Sequence, residues 1–288
     1  MITNFETNKV YMPIALKECI FHDSGLHLLN ALIEIRNKVA VTLLDKTDDT
    51  KCIWVRDYMP IQVNMKKYVH FRYEPDYLSN LPDYKPNVRE IISDIGVNII
   101  ESDINLDGGN VISCGDKVIM TDKIFQENPK YPKVRLIEKL SELLEAEIVL
   151  IPWDKYEPYG HSDGMVRYIG EGHVLLNNYC DFDKSLRKKL VAALSPHFQI
   201  TELHYGKCTS NSWAYLNFLH VGNDVFVPMI NEKTDMKAFD QIADAYVDCQ
   251  CHPICQCEYI AKYGGVLNCI TWNVYEDITN TINIEEDL

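Results

Sequence analysis

Five short polar loops of this 288-residue chain carry the residues best suited to chemistry. Their sequences are WVRDYMP, LDGGN, GHSDG, AYLNF and GGVLNC. Each loop contributes one polar or reactive marker residue, in order Asp57, Asp107, His161, Asn217 and Cys269. Successive markers are separated by 50, 54, 56 and 52 residues, so the loops recur at a nearly constant period.

A cysteine, a histidine and carboxylates in loops favour nucleophilic catalysis by the thiol. A thiolate is the reactive form of cysteine, and a histidine can donate or accept a proton near neutral pH. Asp57 and Asp163 provide two carboxylates, which suit the N–H groups of a planar guanidinium. Asp163 follows His161 by two residues, so in an extended loop both side chains would face the same side.

The loops follow helix–strand units that are visible in the pattern of apolar residues. Helical spacing is found in five segments, residues 23–38, 87–95, 133–144, 184–194 and 236–247. A β-rich run follows each segment, namely VAVTLL, VNIIES, EIVLIP, FQITEL and PICQCEYI. The sequence therefore predicts an α/β fold in which a helix, a strand and a polar loop recur five times.

Such a recurrence favours a closed ring, because each unit can bury its apolar face against its neighbours and closure leaves no free sheet edge. The five marker residues would then meet at the ring axis. A single doubly wound α/β sheet is the alternative, since it also alternates helices and strands. No linker-like or low-complexity segment interrupts the pattern, so we expect one domain over residues 1–288.

The composition of the chain bears on which kinds of partner it can bind and on the cellular compartment in which we expect it. The formal net charge is −14, and the sequence contains no basic stripe that could neutralise phosphates. Both observations argue against a nucleic-acid partner. The first residues lack the pattern of a signal peptide, and no apolar stretch is long enough to span a membrane. We therefore expect a cytoplasmic protein without a membrane partner, in which the ten cysteines are free thiols. The sequence leaves a homo-oligomer open.

The motifs WVRD, LDGGN, GHSDG, AYLNF and GG-x-x-x-CIT together resemble the motif series of the agmatine deiminase and bacterial peptidylarginine deiminase family. The resemblance extends from about Trp54 to Thr271. It implies a pentein fold, the five-bladed α/β propeller of the guanidine-modifying superfamily. It also implies a hydrolase that deiminates a small cationic guanidinium substrate without a metal ion or other cofactor.

The resemblance assigns roles to the loop residues. Cys269 matches the nucleophile that attacks the guanidinium carbon and forms a covalent thiouronium. His161 matches the acid and base, and Asp57 and Asp163 match the carboxylates that hold the guanidinium. Trp54 and Asn217 match further substrate-binding positions.

Arg56 and Asp107 are interpreted as supporting residues that orient the loops. For Asp57 beside Arg56 a surface ion pair is the structural alternative, and for Asp107 a simple turn residue is slightly favoured.

Two departures from the family pattern bear on the substrate. Family members usually have a histidine immediately before the nucleophile, whereas this chain has Asn268. FRYEP, at residues 71–75, is closer to the peptidylarginine deiminase branch, but paired arginines that would grip a substrate carboxylate do not follow it. We expect agmatine as the leading substrate, which would yield N-carbamoylputrescine and ammonia, with free or peptidyl arginine next.

Other functions are kept open beside this one. An amidinotransferase would form the same thiouronium but pass it to an amine. A cysteine peptidase would use Cys269, His161 and Asn217, but it would leave both carboxylates unexplained. A module that binds a guanidinium or a metal without turnover is the non-enzymatic alternative.

The cysteine-rich segment CQCHPICQC, residues 249–257, has ligand-like spacing for zinc. It also occupies the position of the fifth β-run, where alternate cysteines would share one face of a strand. We favour the strand interpretation.

Overall fold

The computed structural model describes residues 1–18, 25–47, 52–81, 84–157, 159–207 and 211–277. Residues 17, 18, 25–30 and 94 are described by their backbone alone. Within these ranges the strands form five sheets of three strands each. In each sheet the middle strand is antiparallel to one neighbour and parallel to the other.

Four of the sheets are built from consecutive strands, and the fifth joins the two ends of the chain. The consecutive sheets are β3-β4-β5, β6-β7-β8, β9-β10-β11 and β12-β13-β14. The bounds of the strands are β1 Lys9–Pro13, β2 Ala40–Leu44, β3 Ile61–Asn64, β4 Lys67–Arg72, β5 Ile99–Asn105, β6 Ile112–Ser113, β7 Lys117–Thr121, β8 Glu147–Ile151, β9 Val166–Gly170, β10 His173–Leu176, β11 Gln199–Glu202, β12 Leu219–Val221, β13 Asp224–Pro228, β14 Gln250–Ile254 and β15 Trp272–Val274.

The fifth sheet has the order β15-β1-β2, so β15 from the end of the described chain lies beside β1 from its beginning. Lys9 pairs with Val274 and Tyr11 with Trp272 in this antiparallel contact. The same sheet pattern therefore occurs five times, and the last repeat is completed only by bringing both ends together. Five separate sheets exclude the single doubly wound sheet.

A helical connection precedes the parallel third strand of each sheet. Parallel neighbours require such a crossover, because a tight turn cannot bring the chain back to the same end of the sheet. The α-helices are α1 Ala15–Glu18, α2 Gly25–Arg36, α3 Val55–Tyr58, α4 Val88–Ile91, α5 Ile124–Glu127, α6 Lys133–Leu144, α7 Tyr179–Phe182, α8 Lys184–Leu194, α9 Asp235–Ala245 and α10 Glu258–Ala261.

Helix α6 illustrates how the sequence pattern fixes the packing. Leu136, Leu140 and Leu144 are spaced four residues apart and are completely buried. They belong to a cluster that also contains Val118 and Met120 of β7. Apart from Val134, the exposed residues of α6 are charged, so the helix lies on the outside of its sheet.

The predicted helices agree closely with the observed crossovers. Residues 133–144 and 184–194 coincide with α6 and α8, and residues 236–247 overlap α9. The segment 87–95 divides into α4 and a 3₁₀ turn over Ile92–Asp94. The segment 23–38 contains α2, although residues 23 and 24 lie outside the described residues.

The predicted strand PICQCEYI is wrong in its position. The strand β14 spans Gln250–Ile254, and the following residues turn into helix α10. Gln256 has φ of 68°, a left-handed conformation that interrupts a strand, and the Cys257 amide donates to the Met229 carbonyl at 3.0 Å. Cys255 and Cys257 are therefore not on a strand face with Cys251. Among the described residues, this segment brings no three potential metal ligands together.

No helix in the described ranges combines the length and apolar content needed to cross a bilayer.

Candidate active site

The five polar loops follow the third strand of each sheet, and hydrogen bonds join them in a closed cycle. Each loop bonds to the next, and the last bonds back to the first. The contacts, donor first, are Gly109 N to Asp57 Oδ1 at 3.0 Å, Asp163 N to Gly109 O at 3.1 Å, Asn217 Nδ2 to Asp163 Oδ2 at 2.7 Å, Val266 N to Asn217 Oδ1 at 3.1 Å and Arg56 N to Cys269 O at 3.1 Å. The predicted markers therefore meet in one place, as expected for loops around a ring axis.

The two glycines of LDGGN allow the second loop to approach its neighbours closely. A Cβ atom on Gly109 would lie 2.6 Å from His161 Nδ1 and 2.7 Å from Asp57 Oδ1. A Cβ atom on Gly108 would lie 2.0 Å from the Arg56 carbonyl oxygen. Any other residue would push the histidine and the first carboxylate apart, so both glycines are required by contact.

His161 lies between two carboxylates. Its Nε2 is 3.0 Å from Asp107 Oδ2, which also accepts the hydroxyl of Tyr77 at 2.7 Å, and its Nδ1 is 3.8 Å from Asp57 Oδ1. Burial opposes a charged imidazole, but Asp57, Asp107 and Glu157 outweigh it and raise the pKa of His161 to about 10. The imidazole is therefore protonated at neutral pH. Asp107 contacts His161 directly and is more than the turn residue that the sequence slightly favoured.

Asp57 is buried and does not form a surface ion pair with Arg56. Burial and the nearby charges of Asp107 and Asp163 raise its pKa, while His161 and the amide of Gly109 lower it, and the result is about 7. The carboxylate is thus ionised on the alkaline side of neutrality.

Asp163 is held by two side-chain amides. Asn217 Nδ2 and Asn268 Nδ2 both donate to its Oδ2 at 2.7 Å. The same oxygen is 4.0 Å from Cys269 Sγ. The segment around Asp163 is a turn and not the extended loop that we expected, because Ser162 O accepts the amide of Met165 at 2.9 Å. The turn directs Asp163 towards the thiol and His161 towards Asp57 and Asp107.

Cys269 is buried beside these carboxylates. Burial, followed by the charges of Asp163 and Asp57, raises the pKa of its thiol well above the ordinary value. Hydrogen bonds from the Asn217 side chain and the Val266 amide to the sulfur oppose this effect. Without a bound cation the residue is a neutral thiol.

Trp54 and Gly265 form the wall beside the thiol. A Cβ atom on Gly265 would lie 2.4 Å from Cζ3 of Trp54 and 2.9 Å from Cβ of Cys269. The half-buried indole therefore packs directly against the loop that carries the cysteine. Asn217, the other expected binding residue, contacts Asp163 and the Val266 amide, so its amide orients neighbouring groups.

Two arginines lie behind the fifth loop, Arg56 half-buried and Arg167 buried. Arg56 Nε donates to the Asn268 carbonyl at 3.3 Å, and its guanidinium also bonds to the Asn273 side chain. Burial and the charge of Arg167 lower the pKa of Arg56 to about 10, which leaves it charged at neutral pH. Arg167 donates to the Phe218 carbonyl at 3.2 Å. Arg56 thus contacts the loop that carries Cys269, and its role in orienting that loop stays a prediction. Arg167 was not among the predicted site residues.

Glu157 and Asn268 are further residues whose roles the sequence did not show. Glu157 accepts the backbone amides of Tyr159 and Gly160, and that of His161 at 3.2 Å, and so fixes the third loop. Asn268 was noted only as a substitution for the usual histidine. No local pattern marks either residue, because both roles depend on turns that bring backbone amides or a distant carboxylate into reach.

The axial residues lack the arrangement of a metal centre. Among the described residues, one group of histidine, cysteine and carboxylate ligand atoms lies within 4.8 Å of one another, and it is Cys180, Asp181 and His204, away from the loop cycle.

The fold and the loop cycle define a class of protein: a five-bladed α/β propeller with a cysteine, a histidine and paired carboxylates at its axis. The model of the Porphyromonas-type peptidyl-arginine deiminase family matches residues 27–274, and the chain belongs to this family. This confirms the family resemblance seen in the motifs. The deiminases are hydrolases of C–N bonds in amidines, so the family is one of enzymes.

Known proteins with related sequence or structure agree with this family. A Vibrio parahaemolyticus protein named "Putative agmatine deiminase" is 26% identical over 219 residues, which are 62% of this chain and 61% of that protein. The substrate-bound agmatine deiminase of C. jejuni superposes with a TM-score of 0.77 at 15% identity over 96% of both chains. The agmatine deiminase of Enterococcus faecalis gives 0.72 at 17% identity, over 96% of this chain and 95% of that one. These structures confirm the predicted propeller fold.

Proposed function

We propose that the chain is a hydrolase that deiminates a guanidinium substrate, with Cys269 as nucleophile and His161 as acid and base. The observation that carries this proposal is the loop cycle. It places a thiol, a protonated imidazole and two carboxylates in one buried cluster, and a planar cation would complete that cluster.

The proposed reaction begins with the guanidinium bound between Asp57 and Asp163. Their charges keep Cys269 protonated in the free protein, and the substrate cation offsets them. Binding therefore lowers the pKa of the thiol, whose proton leaves to Asp163 or to solvent. The thiolate attacks the central guanidinium carbon and forms a tetrahedral adduct.

Ammonia then leaves with a proton from His161, which converts the adduct to a covalent thiouronium. The neutral imidazole next takes a proton from a water molecule that attacks the same carbon. The carbon–sulfur bond breaks as the ureido carbonyl forms, the hydroxyl proton of the adduct passes to solvent, and the departing thiolate takes up a proton. The products are a ureido compound and ammonia, which solvent protonates to ammonium. Asp107 and Tyr77 hold the imidazole in one orientation during both proton transfers.

Agmatine is the leading substrate in this proposal. A groove of about 580 Å³ is lined by Gly164, the residue that follows Asp163, and its charged walls are three acidic residues and one lysine: Asp154, Glu157, Asp183 and Lys207. Such walls suit an amine tail better than a carboxylate. Arg72 of FRYEP is exposed and faces Glu74, so it is not placed to grip a substrate carboxylate. Free and peptidyl arginine are the alternatives in the same chemistry.

The hydrogen bonds of His161 argue against a cysteine peptidase. Such a triad would need Asn217 to orient the histidine, but Asn217 bonds to Asp163 and His161 bonds to Asp107. An amidinotransferase shares the first half of the proposed reaction. It differs in the acceptor, and measured ammonia release with a ureido product separates it from a deiminase.

The nucleophile can be tested by mass spectrometry of the intact protein after it is mixed with agmatine and quenched in acid. We expect an adduct on the wild-type protein or on His161→Ala, which loses the proton donor and the base but keeps the thiol. We expect no adduct and no ammonia release from Cys269→Ala.

Cys255→Ser is the matched control, because Cys255 is an exposed thiol away from the axis. It should retain both the adduct and the activity. Ammonia release by Cys269→Ala at a near wild-type rate would disprove the proposed nucleophile. A clear preference for arginine or a C-terminal arginine peptide in competition kinetics would overturn agmatine while sparing the deiminase.

A further inference from the structure

A second cluster of reactive side chains lies at one end of the sheet β9-β10-β11, outside the loop cycle. It consists of Cys180, Asp181 and His204, whose ligand atoms all lie within 4.8 Å of one another. Cys180 Sγ is 3.0 Å from His204 Nδ1. The thiol is half-buried, whereas the carboxylate and the imidazole are exposed, so an ion can reach the cluster from solvent.

The fold brings these three residues together from two parallel strands. Cys180 and Asp181 lie in α7, shortly after the end of β10, and His204 follows β11. Because β10 and β11 are parallel neighbours, both segments emerge at the same end of the sheet. Asp181 is also fixed in place, since its Oδ2 accepts the amide of Gly206 at 2.8 Å. The cluster therefore has a rigid base and does not depend on long, mobile side chains.

We propose that Cys180, Asp181 and His204 bind a divalent metal ion of the Zn²⁺ type. Thiolate, imidazole and carboxylate are the ligands that zinc prefers, at 2.0–2.3 Å from the ion, so tetrahedral ligands are roughly 3.5 Å apart. The three atoms lie within 4.8 Å of one another, and small side-chain rotations would bring them to one ion. Three protein ligands leave one position for water. The thiol proton passes to solvent when the sulfur coordinates the ion.

The cysteine-rich segment provides a useful contrast. It contains more cysteines and a histidine, yet His252 bonds to Asp224 at 2.7 Å, and Cys255 and Cys257 lie beyond the strand. Cys180 and His204 are 24 positions apart in the chain and have no ligand-like sequence spacing, but the fold places them in contact. The candidate metal site is therefore identified by the positions of its side chains in the fold, and not by the number of cysteines in a segment.

A bound ion at the end of the sheet β9-β10-β11 would be connected to the axial site by hydrogen bonds. Tyr205, next to His204, donates its hydroxyl to Asn177 Oδ1 at 2.5 Å. Asn177 Nδ2 in turn donates to the carbonyl of Gly164 at 3.1 Å, and Gly164 follows Asp163. An ion that ties α7 to His204 therefore restrains a network that extends to the loop of Asp163.

The site can be tested with Co²⁺ as a spectroscopic substitute for Zn²⁺. The titration uses the wild-type chain under reducing conditions, with Cys269→Ala in parallel to remove the axial thiol. Both proteins should show a sulfur-to-cobalt charge-transfer band that saturates at one ion per chain, and Zn²⁺ should bleach it. Zn²⁺ at a hundredfold excess over its Kd should raise Tm by roughly 5 °C, because the ion binds only the folded chain.

Three variants locate the ligands. Cys180→Ser should abolish the band, and His204→Ala should weaken binding at least tenfold, while Cys255→Ser should leave the band unchanged. The Tm of each metal-free variant shows that it folds. A band that persists in Cys180→Ser, or a loss of the band in Cys255→Ser, would overturn the proposal. Absence of any band at millimolar Co²⁺ would overturn it equally.

Discussion

Asn268 offers a direct test of how the axial site is held together. Its side-chain amide donates to Asp163 Oδ2 at 2.7 Å, and the residue is buried. Asn268→Ala removes this donor and leaves the backbone contacts to Arg56 and Asn217 in place. A buried hydrogen bond to a charged group contributes about 1.5–3 kcal/mol. At about 1.4 kcal/mol per factor of ten, we expect kcat/KM for agmatine to fall roughly 10- to 150-fold.

Asn268→Asp replaces the donor with an acceptor of the same shape and places a second carboxylate against Asp163. At neutral pH the two negative charges repel each other, so this variant should be less active than Asn268→Ala. Lowering the pH should protonate the introduced carboxyl group and restore an O–H donor, so part of the loss of activity should be recovered. A partial recovery of activity on the acid side, absent from Asn268→Ala, is the signature of this contact.

The assay is continuous ammonia release at several agmatine concentrations, together with Tm for each variant. Asn98→Ala is the control, because Asn98 is exposed and lies outside the loop cycle, and it should match the wild type. If Asn268→Ala remained within twofold of wild type while Asn98→Ala was also unchanged, Asp163 would not depend on this amide and the reasoning would fail.

Two further predictions concern pH and packing. The pH profile of kcat/KM should rise through about pH 7, where Asp57 ionises, and fall above about pH 10, where His161 loses its proton. Asp107→Asn should move the alkaline limb to lower pH, and an unmoved limb would contradict the assignment to His161. Leu140→Ala should lower the free energy of unfolding by about 2–5 kcal/mol in urea titrations, because it opens a cavity under α6. Val134→Ala, on the exposed side of the same helix, should change the free energy of unfolding by less than about 0.5 kcal/mol. Equal decreases for both variants would show that burial of the side chain does not determine the loss of stability.

The sequence predicted the outer helices and the loop markers well because both have local causes. The stripe of leucines in α6 defines a helix without reference to the rest of the chain. The polar loops stand out since each interrupts an apolar pattern at a similar interval. These two signals were sufficient for a ring of five units with Cys269 and His161 in the same region.

The sequence predicted only the third strand of each sheet. The first two strands were not predicted, because their pairing with a neighbouring strand, and not a local sequence pattern, defines them. β6 has only two residues, and β9 contains Arg167 and Tyr168, so neither has a strong alternating pattern. The contact between β1 and β15 joins residues near opposite ends of the chain, which no local window can reveal. The misplaced fifth strand has a similar cause, since the left-handed turn at Gln256 is not specified by composition.

Individual roles within the site depended on distances that sequence spacing does not fix. Asp107 was interpreted as a supporting residue, with a simple turn residue slightly favoured, and its sequence position does not reveal that its carboxylate lies 3.0 Å from His161. Asn268 was recognised as a departure from the family, but its function follows from the position of Asp163. The common cause is that each contact crosses between two sheets, and side chains from separate units meet only after the ring closes.

The negative charges of the axial site favour a cationic ligand. Asp57, Asp107 and Asp163 lie close together in a buried region, and His161 supplies one nearby positive charge. The carboxylates keep Cys269 as an unreactive thiol until another cation enters. A neutral amide or ester would leave that thiol protonated even if it fitted the cavity. In the proposed reaction a guanidinium is held by these carboxylates and offsets their charges, which lowers the pKa of the thiol. Binding of the cation would then itself produce the thiolate, so selection for a cation would be part of the chemical step.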